Sequence, residues 1–222
     1  MPVKRLADAK TRLRGAAGLD DVAHARLVLA LAHDTVAAVR AARLVHRLLV
    51  VSSDPVVAAE LAATGVEVVP DGPEPGLNAA YAHGAALLRA RHVDTPPLGA
   101  LQADLPALRP AELDAAIAAF IIGTRRAFCA DADGTGTTLL LAAAGVALDP
   151  RFGVGSAARH VESGALALTG DWPGLRRDVD TADDLRAAGD LGVGEHTLAV
   201  LAPCSPTWVT PAGCPGPRTG GG

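Results

Sequence analysis

The stretch "PLGALQADLPALRP", residues 97–110, decides how the rest of the chain is read. Pro97 to Gln102 is a short apolar run of the kind that forms a buried strand. It ends at a carboxylate, Asp104, and the next helix is predicted to begin near Pro110, where a fixed φ suits the first helical turn. An Asp in that place can be a turn residue or a helix cap. It can equally mark a metal or phosphate site at the carboxyl edge of a sheet.

The neighbouring segments bear on that choice. Val22, Ala25, Leu29, Ala32, Val36 and Val39 recur at helical spacing between Asp20 and Arg43. "HRLLVVSSD", 46–54, reads as a buried strand, and Ser53 or Asp54 can cap a helix over Pro55 to Ala63 that Gly65 ends. "VEVVPD" at 66–71 is a short strand, Gly76 to Arg91 a helix, and Pro110 to Phe120 another. "RAFCAD" at 126–131 and "TTLLLA" at 137–142 are strands. Such alternation predicts a three-layer α/β fold with a mostly parallel sheet, and it places binding at the strand carboxyl ends. "PVKRL", 2–6, looks like the loop leaving a first strand, yet only Met1 precedes it. The expectation is that the native start lies upstream of Met1; the alternative is a fold lacking its usual first strand. Residues 1–202 form the predicted domain, and 203–222, with five Pro and five Gly, read as a disordered tail.

Composition narrows the function classes. Half of the 222 residues are hydrophobic, enough for a sizeable core, but aromatics are only 3%, so Ala, Val and Leu must build it. A net charge of −4 argues against a broad nucleic-acid surface. No apolar run is expected to reach the ~20 residues of a membrane span, and no signal segment opens the chain, so a cytoplasmic protein is expected. Cys129, Cys204 and Cys214 form no CxxC pair, which argues against a zinc site. Of 20 basic residues only Lys4 and Lys10 are lysine, and both fall in the first ten positions. A compact ammonium is a good ligand for phosphate.

Four segments stand out together: "PVKRLADAKTRL" at 2–13, "LQADLPAL" at 101–108, "DADGTGTTLL" at 131–140 with "RFGVGSAARH" at 151–160, and "RRDVDTADDL" at 176–185. As an ordered set they resemble the guanylyltransferases of coenzyme F420 biosynthesis. The resemblance covers about residues 2–202 and implies the GT-A-like nucleotidyltransferase fold. It also implies transfer of GMP from GTP to a phosphorylated three-carbon acid, phosphoenolpyruvate or 2-phospho-L-lactate; handover of the product to a downstream transferase of the pathway is a separate expectation that no residue identifies. Phosphoenolpyruvate is the favoured acceptor. The alternatives are the phospholactate enzyme and a nucleotide-binding protein without turnover.

The chemistry of the residues agrees. Nucleotidyl transfer needs a bound triphosphate and stabilisation of departing pyrophosphate, which Mg²⁺ provides when held by one or two carboxylates. Asp104 supplies one candidate ligand, and Asp178 and Asp180 are the others; the resemblance favours Asp178, with Asp180 an alternative cap for the next helix. Lys4, Lys10 and Arg12 lie where the triphosphate would be wrapped, and would neutralise its charge. "DADGTGTT" opens like a calcium loop, but Ala142 stands at the twelfth position where Glu is required. Gly134 and Gly136 are expected to let backbone approach a ligand, with Thr137 and Thr138 adding hydroxyl donors. By resemblance, Thr138, Gly153 and Ser156 hold the acceptor. Gly76 and Asn78 are expected near the nucleotide, with Asn78 reading a base edge or ribose. His160 is read as a helix residue without catalytic duty.

Overall fold

The computed structural model describes residues 1–6, 13, 21–91, 96–120 and 124–202. Among these, eight α-helices and six strands alternate through most of the chain. The longest helix, α1 (Asp21–Ala41), is buried on most of its circumference and feeds three cores, through Leu27 and Leu31, through Val36, and through Val39. It amends the expectation that no segment reaches membrane-span length: α1 is long and apolar enough, but 67% of its most apolar window is buried inside the protein, as in a core helix. For α2 (Pro55–Ala63) the cap is Asp54, not Ser53. Its Oδ1 accepts from Val56 N at 2.9 Å and Val57 N at 3.2 Å, and Pro55 takes the first turn. Oδ2 of the same carboxylate accepts from Leu6 N at 2.9 Å, which ties the segment after Lys4 to the start of α2.

β1 (Leu49–Val51) pairs in parallel with β2 (Glu67–Val69). On the other side of β1, Val3 N donates to Val51 O at 2.9 Å and Val51 N donates to Met1 O at 3.0 Å. Residues 1–3 thus lie where a first strand was expected, one parallel bridge long. β3 (Leu98–Leu101), β5 (Thr137–Ala142), β4 (Arg126–Ala130) and β6 (Leu166–Ala167) form a second sheet in the order β3-β5-β4-β6. β5 runs antiparallel to β3 and β4, and β6 runs parallel to β4, so three strands share a direction and β5 opposes them. Among the described residues these are two sheets, one two-stranded and one four-stranded, rather than one continuous sheet.

Strand alternation sets the layers. Leu101, Leu139 and Leu141 face a core shared with Val39 of α1, Leu113 of α4 (Pro110–Ala118) and Leu175 of α6 (Pro173–Arg176). Leu98, Ala100, Phe128 and Leu140 face the opposite core, with Tyr81 and Ala85 of α3 (Leu77–Ala90) and Ala157 of α5 (Ser156–Glu162). Both sheet faces are therefore covered by helices, as the three-layer expectation requires. Each fully buried leucine in these cores contributes about 1.5–3 kcal/mol of transfer free energy.

Candidate active site

β3 and β4 end, and β5 begins, at one edge of the sheet, where Gln102 N donates to Thr138 O at 2.9 Å. A cleft of about 560 Å³ opens there. Asp104 lies at the end of β3, in the cleft wall, as the opening stretch suggested. Its turn is pegged from below. Leu105 is fully buried, and its N–H donates to Thr35 Oγ1 of α1 at 2.9 Å, which in turn donates to Leu31 O at 2.9 Å. Val179, also fully buried, donates its N–H to Asp104 O at 3.1 Å. That bond brings the 178–180 loop against the end of β3, so Asp178 and Asp180 line the cleft on either side of Val179. Asp180 does not cap the following helix. Thr181 does so for α7 (Ala182–Leu191), in a reciprocal capping box with Asp184.

Asp131 and Asp133 also line the cleft, and Lys4, exposed, reaches it from the N-terminal segment. Among the described residues no three Asp, Glu, His or Cys side chains form a ready metal cage. A few carboxylate oxygens completed by substrate phosphate are a donor set suited to Mg²⁺, and one without thiolate or imidazole does not favour zinc.

Another part of the cleft lining carries hydroxyls. The Asp131 carboxylate closes its own turn, accepting from Thr135 N at 2.9 Å and Gly136 N at 2.8 Å. A Cβ at Gly136 would collide with that carboxylate, so this glycine serves the turn rather than a ligand's approach. Thr137 and Ser156 line the cleft with Gly153 and Gly155. Ser156 Oγ donates to Thr137 Oγ1 at 3.1 Å, and Thr137 Oγ1 also meets His160 Nδ1 at 2.9 Å. Gly153 (φ +118) and Gly155 (φ +69) adopt backbone conformations that L-residues rarely take, and they shape the turn into α5.

Several expected site residues lie elsewhere. Thr138 is not among the residues lining the cleft: it sits where β5 slips register against β4, and its fully buried hydroxyl points to Cys129 O at 3.5 Å. The cleft hydroxyl is that of Thr137. Asn78 is not among the residues lining the cleft, and its amide is engaged at both ends: Nδ2 donates to Phe152 O at 3.1 Å, and Oδ1 accepts from Phe152 N at 2.8 Å. It clamps α3 to the glycine turn. Gly76 (φ +108) starts α3, and it is Leu77 that reaches the cleft. Lys10 and Arg12 lie outside the described residues, as does the 203–222 tail.

Sequence reasoning missed Gln102, which lines the cleft and accepts from the Tyr81 hydroxyl at 3.4 Å. Burial pushes the Tyr81 phenol well above its usual range, and the nearby Asp104 charge adds to that. His160 lies in α5, as read from the sequence; it is fully buried between Phe128 and Phe152 and touches the hydroxyl wall directly, a contact the sequence reading did not include. Its position four residues after Ser156 on one helix was the available signal.

The family described as "Guanylyl transferase CofC like" matches residues 1–187. A phosphoenolpyruvate guanylyltransferase of Salinispora arenicola (strain CNS-205) is 55% identical over 208 residues, covering 93% of this chain and 94% of the relative. Another of that name, from Geodermatophilus obscurus, is 56% identical over 205 residues, covering 90% and 92%. A crystal structure from Desulfovibrio desulfuricans G20, carrying the provisional name nucleotide-diphospho-sugar transferase, superposes with a TM-score of 0.67 over 91% of this chain and 92% of that one. At 18% identity that likeness shows the fold alone.

Proposed function

We propose that this chain, which belongs to the CofC-like guanylyl transferase family, transfers GMP from GTP to phosphoenolpyruvate, releasing pyrophosphate and forming enolpyruvyl-diphospho-5′-guanosine in coenzyme F420 biosynthesis. The observation that carries this reading is the Val179 N–H bond to Asp104 O, because it sets two distant aspartates into one cleft wall. Asp104 and Asp178 would hold Mg²⁺, with Asp180 alongside. When bound, the ion neutralises the triphosphate and the departing pyrophosphate.

The chain's own groups account for the rest. Lys4 adds a positive charge on a long, flexible stem at the phosphate end of the cleft. Lys10 and Arg12 would join it. The hydroxyl wall, with Thr137, Ser156 and the Gly153 turn, suits a small anionic acceptor, since hydroxyl and backbone N–H groups donate to carboxylate or phosphate oxygens. An acceptor phosphate oxygen then attacks the α-phosphorus of GTP. The bond from that phosphorus to the β-phosphate oxygen breaks, and pyrophosphate leaves with the electron pair. The nucleophile is already an anion, so no general base is required. Holding the two substrates in one cleft brings the reacting atoms together, and this proximity acts alongside charge stabilisation in lowering the barrier.

Pyrophosphate release from GTP, with Mg²⁺ and each acid in turn, tests the reading. Release with phosphoenolpyruvate well above that with 2-phospho-L-lactate is expected. Release with phospholactate alone would transfer the assignment to that acceptor, and no release with either would leave a nucleotide-binding protein.

A further inference from the structure

We propose that His160 is a positioning residue that fixes the direction of the hydroxyl donors on the acceptor wall, so that one O–H always points into the cleft. The inference rests on the acceptor lying against Thr137 and Ser156.

The proton count is closed by a backbone amide. Arg151 N lies 3.1 Å from His160 Nε2, and an amide nitrogen can only donate. Nε2 is therefore the bare nitrogen, and the neutral ring carries its proton on Nδ1. That Nδ1–H donates to Thr137 Oγ1 at 2.9 Å. Ser156 Oγ donates to the same oxygen at 3.1 Å. With both lone pairs of Thr137 occupied by donors, its own proton has to leave the trio, and the cleft is the space both hydroxyls line. If the Ser156–Thr137 bond were reversed, the outward proton would be that of Ser156. Either way the pair presents one O–H donor to an anionic oxygen of the acceptor.

The surroundings hold His160 in that state. Phe128 packs at 5.6 Å between ring centroids and Phe152 stands edge-on at 5.4 Å, which fixes the ring plane. Burial, reinforced by the charges of Arg126 and Arg159, pushes the imidazole down to about 4. A protonated ring would set Nε2–H against the Arg151 N–H. Arg151 and Phe152 are adjacent, so the Asn78 clamp on Phe152 steadies the same segment whose amide selects the tautomer.

Two measurements test this, one independent of turnover. Imidazole ¹⁵N shifts at neutral pH should show Nδ1 protonated and Nε2 bare; an Nε2–H ring overturns the proposal whether or not the acceptor has been identified correctly. In steady-state assays with phosphoenolpyruvate, His160→Phe keeps an aromatic ring but neither bond, and should raise the acceptor KM about 10-fold or more while the GTP KM moves less than about 2-fold. His160→Gln, a neutral donor and acceptor, should recover much of that loss. In a Thr137→Val background, His160→Phe should add little, because its partner is already gone. Equal changes in both KM values, or a full additional loss in the Thr137→Val background, would show a merely structural role. If His160→Phe does not fold, the tautomer and the His160→Gln KM pair still decide the outcome.

Discussion

On the hydroxyl wall of the cleft, Thr137, Ser156 and His160 hold one another through side-chain contacts of 2.9–3.1 Å. On the carboxylate wall, Asp104 and Asp178 are set instead through the backbone, by the Val179 N–H to Asp104 O bond and the buried Leu105 and Val179 beneath it. The difference separates two ways of preparing a site. A hydroxyl network fixes donor directions before any ligand arrives, which suits discrimination among small anions. A wall of like charges is anchored from below and is completed by positive charge brought with the substrate.

The sharpest way to break the comparison is to neutralise one wall at a time. Asp104→Asn or Asp178→Asn should lower turnover by about 10³-fold or more. The fold should stay largely intact; turnover rates and melting curves check both. On the other wall, Thr137→Val should raise the acceptor KM about 10-fold with little change in GTP KM. Thr138→Val, whose hydroxyl faces Cys129 O, should leave both KM values alone and cost about 1 kcal/mol of stability. If the two threonine variants exchange behaviour, the register of β5 at the cleft is wrong.

Smaller effects sharpen it further. Asn78→Ala removes two hydrogen bonds to Phe152 and should cost about 2 kcal/mol in denaturant unfolding. The preference for GTP over ATP should not change; a collapse of that preference would restore Asn78 as a base reader. The gentlest probe is pH. His160 binds its proton at about 4 in the fold against 6.5 ordinarily, so the unfolded chain takes up a proton between those values that the fold excludes. Stability should therefore fall as pH drops from about 6.5 toward 4, and His160→Gln should flatten that slope in unfolding titrations.

The sequence showed some of this architecture and hid the rest for identifiable reasons. The alternation of apolar strands with periodic helices announced the α/β layering, and Asp54, Pro55 and Gly65 marked the ends of α2 as expected. Asp104, Asp178, Gly153 and Ser156, singled out in the sequence by their motifs and the family resemblance, all line one cleft. Thr137 and Thr138 could not be told apart because "TTLLLA" is buried on both faces, so no polar alternation names a side. Asn78 looked like a ligand group because its partner, Phe152, is far along the chain. His160 hid its role for the same reason: Thr137 and the Arg151 amide reach it only in the folded state. The split of the strands into two sheets is likewise a matter of pairing, which residue patterns do not encode.

The account stands on two aspartates sharing one cation beside the triphosphate. A crystal structure of the protein with a non-hydrolysable GTP analogue and Mn²⁺ in place of Mg²⁺, read by anomalous scattering, tests that directly. A manganese peak bonded to carboxylate oxygens of both Asp104 and Asp178 and to a phosphate oxygen is predicted. Nucleotide bound in the cleft with its manganese away from either residue would contradict it.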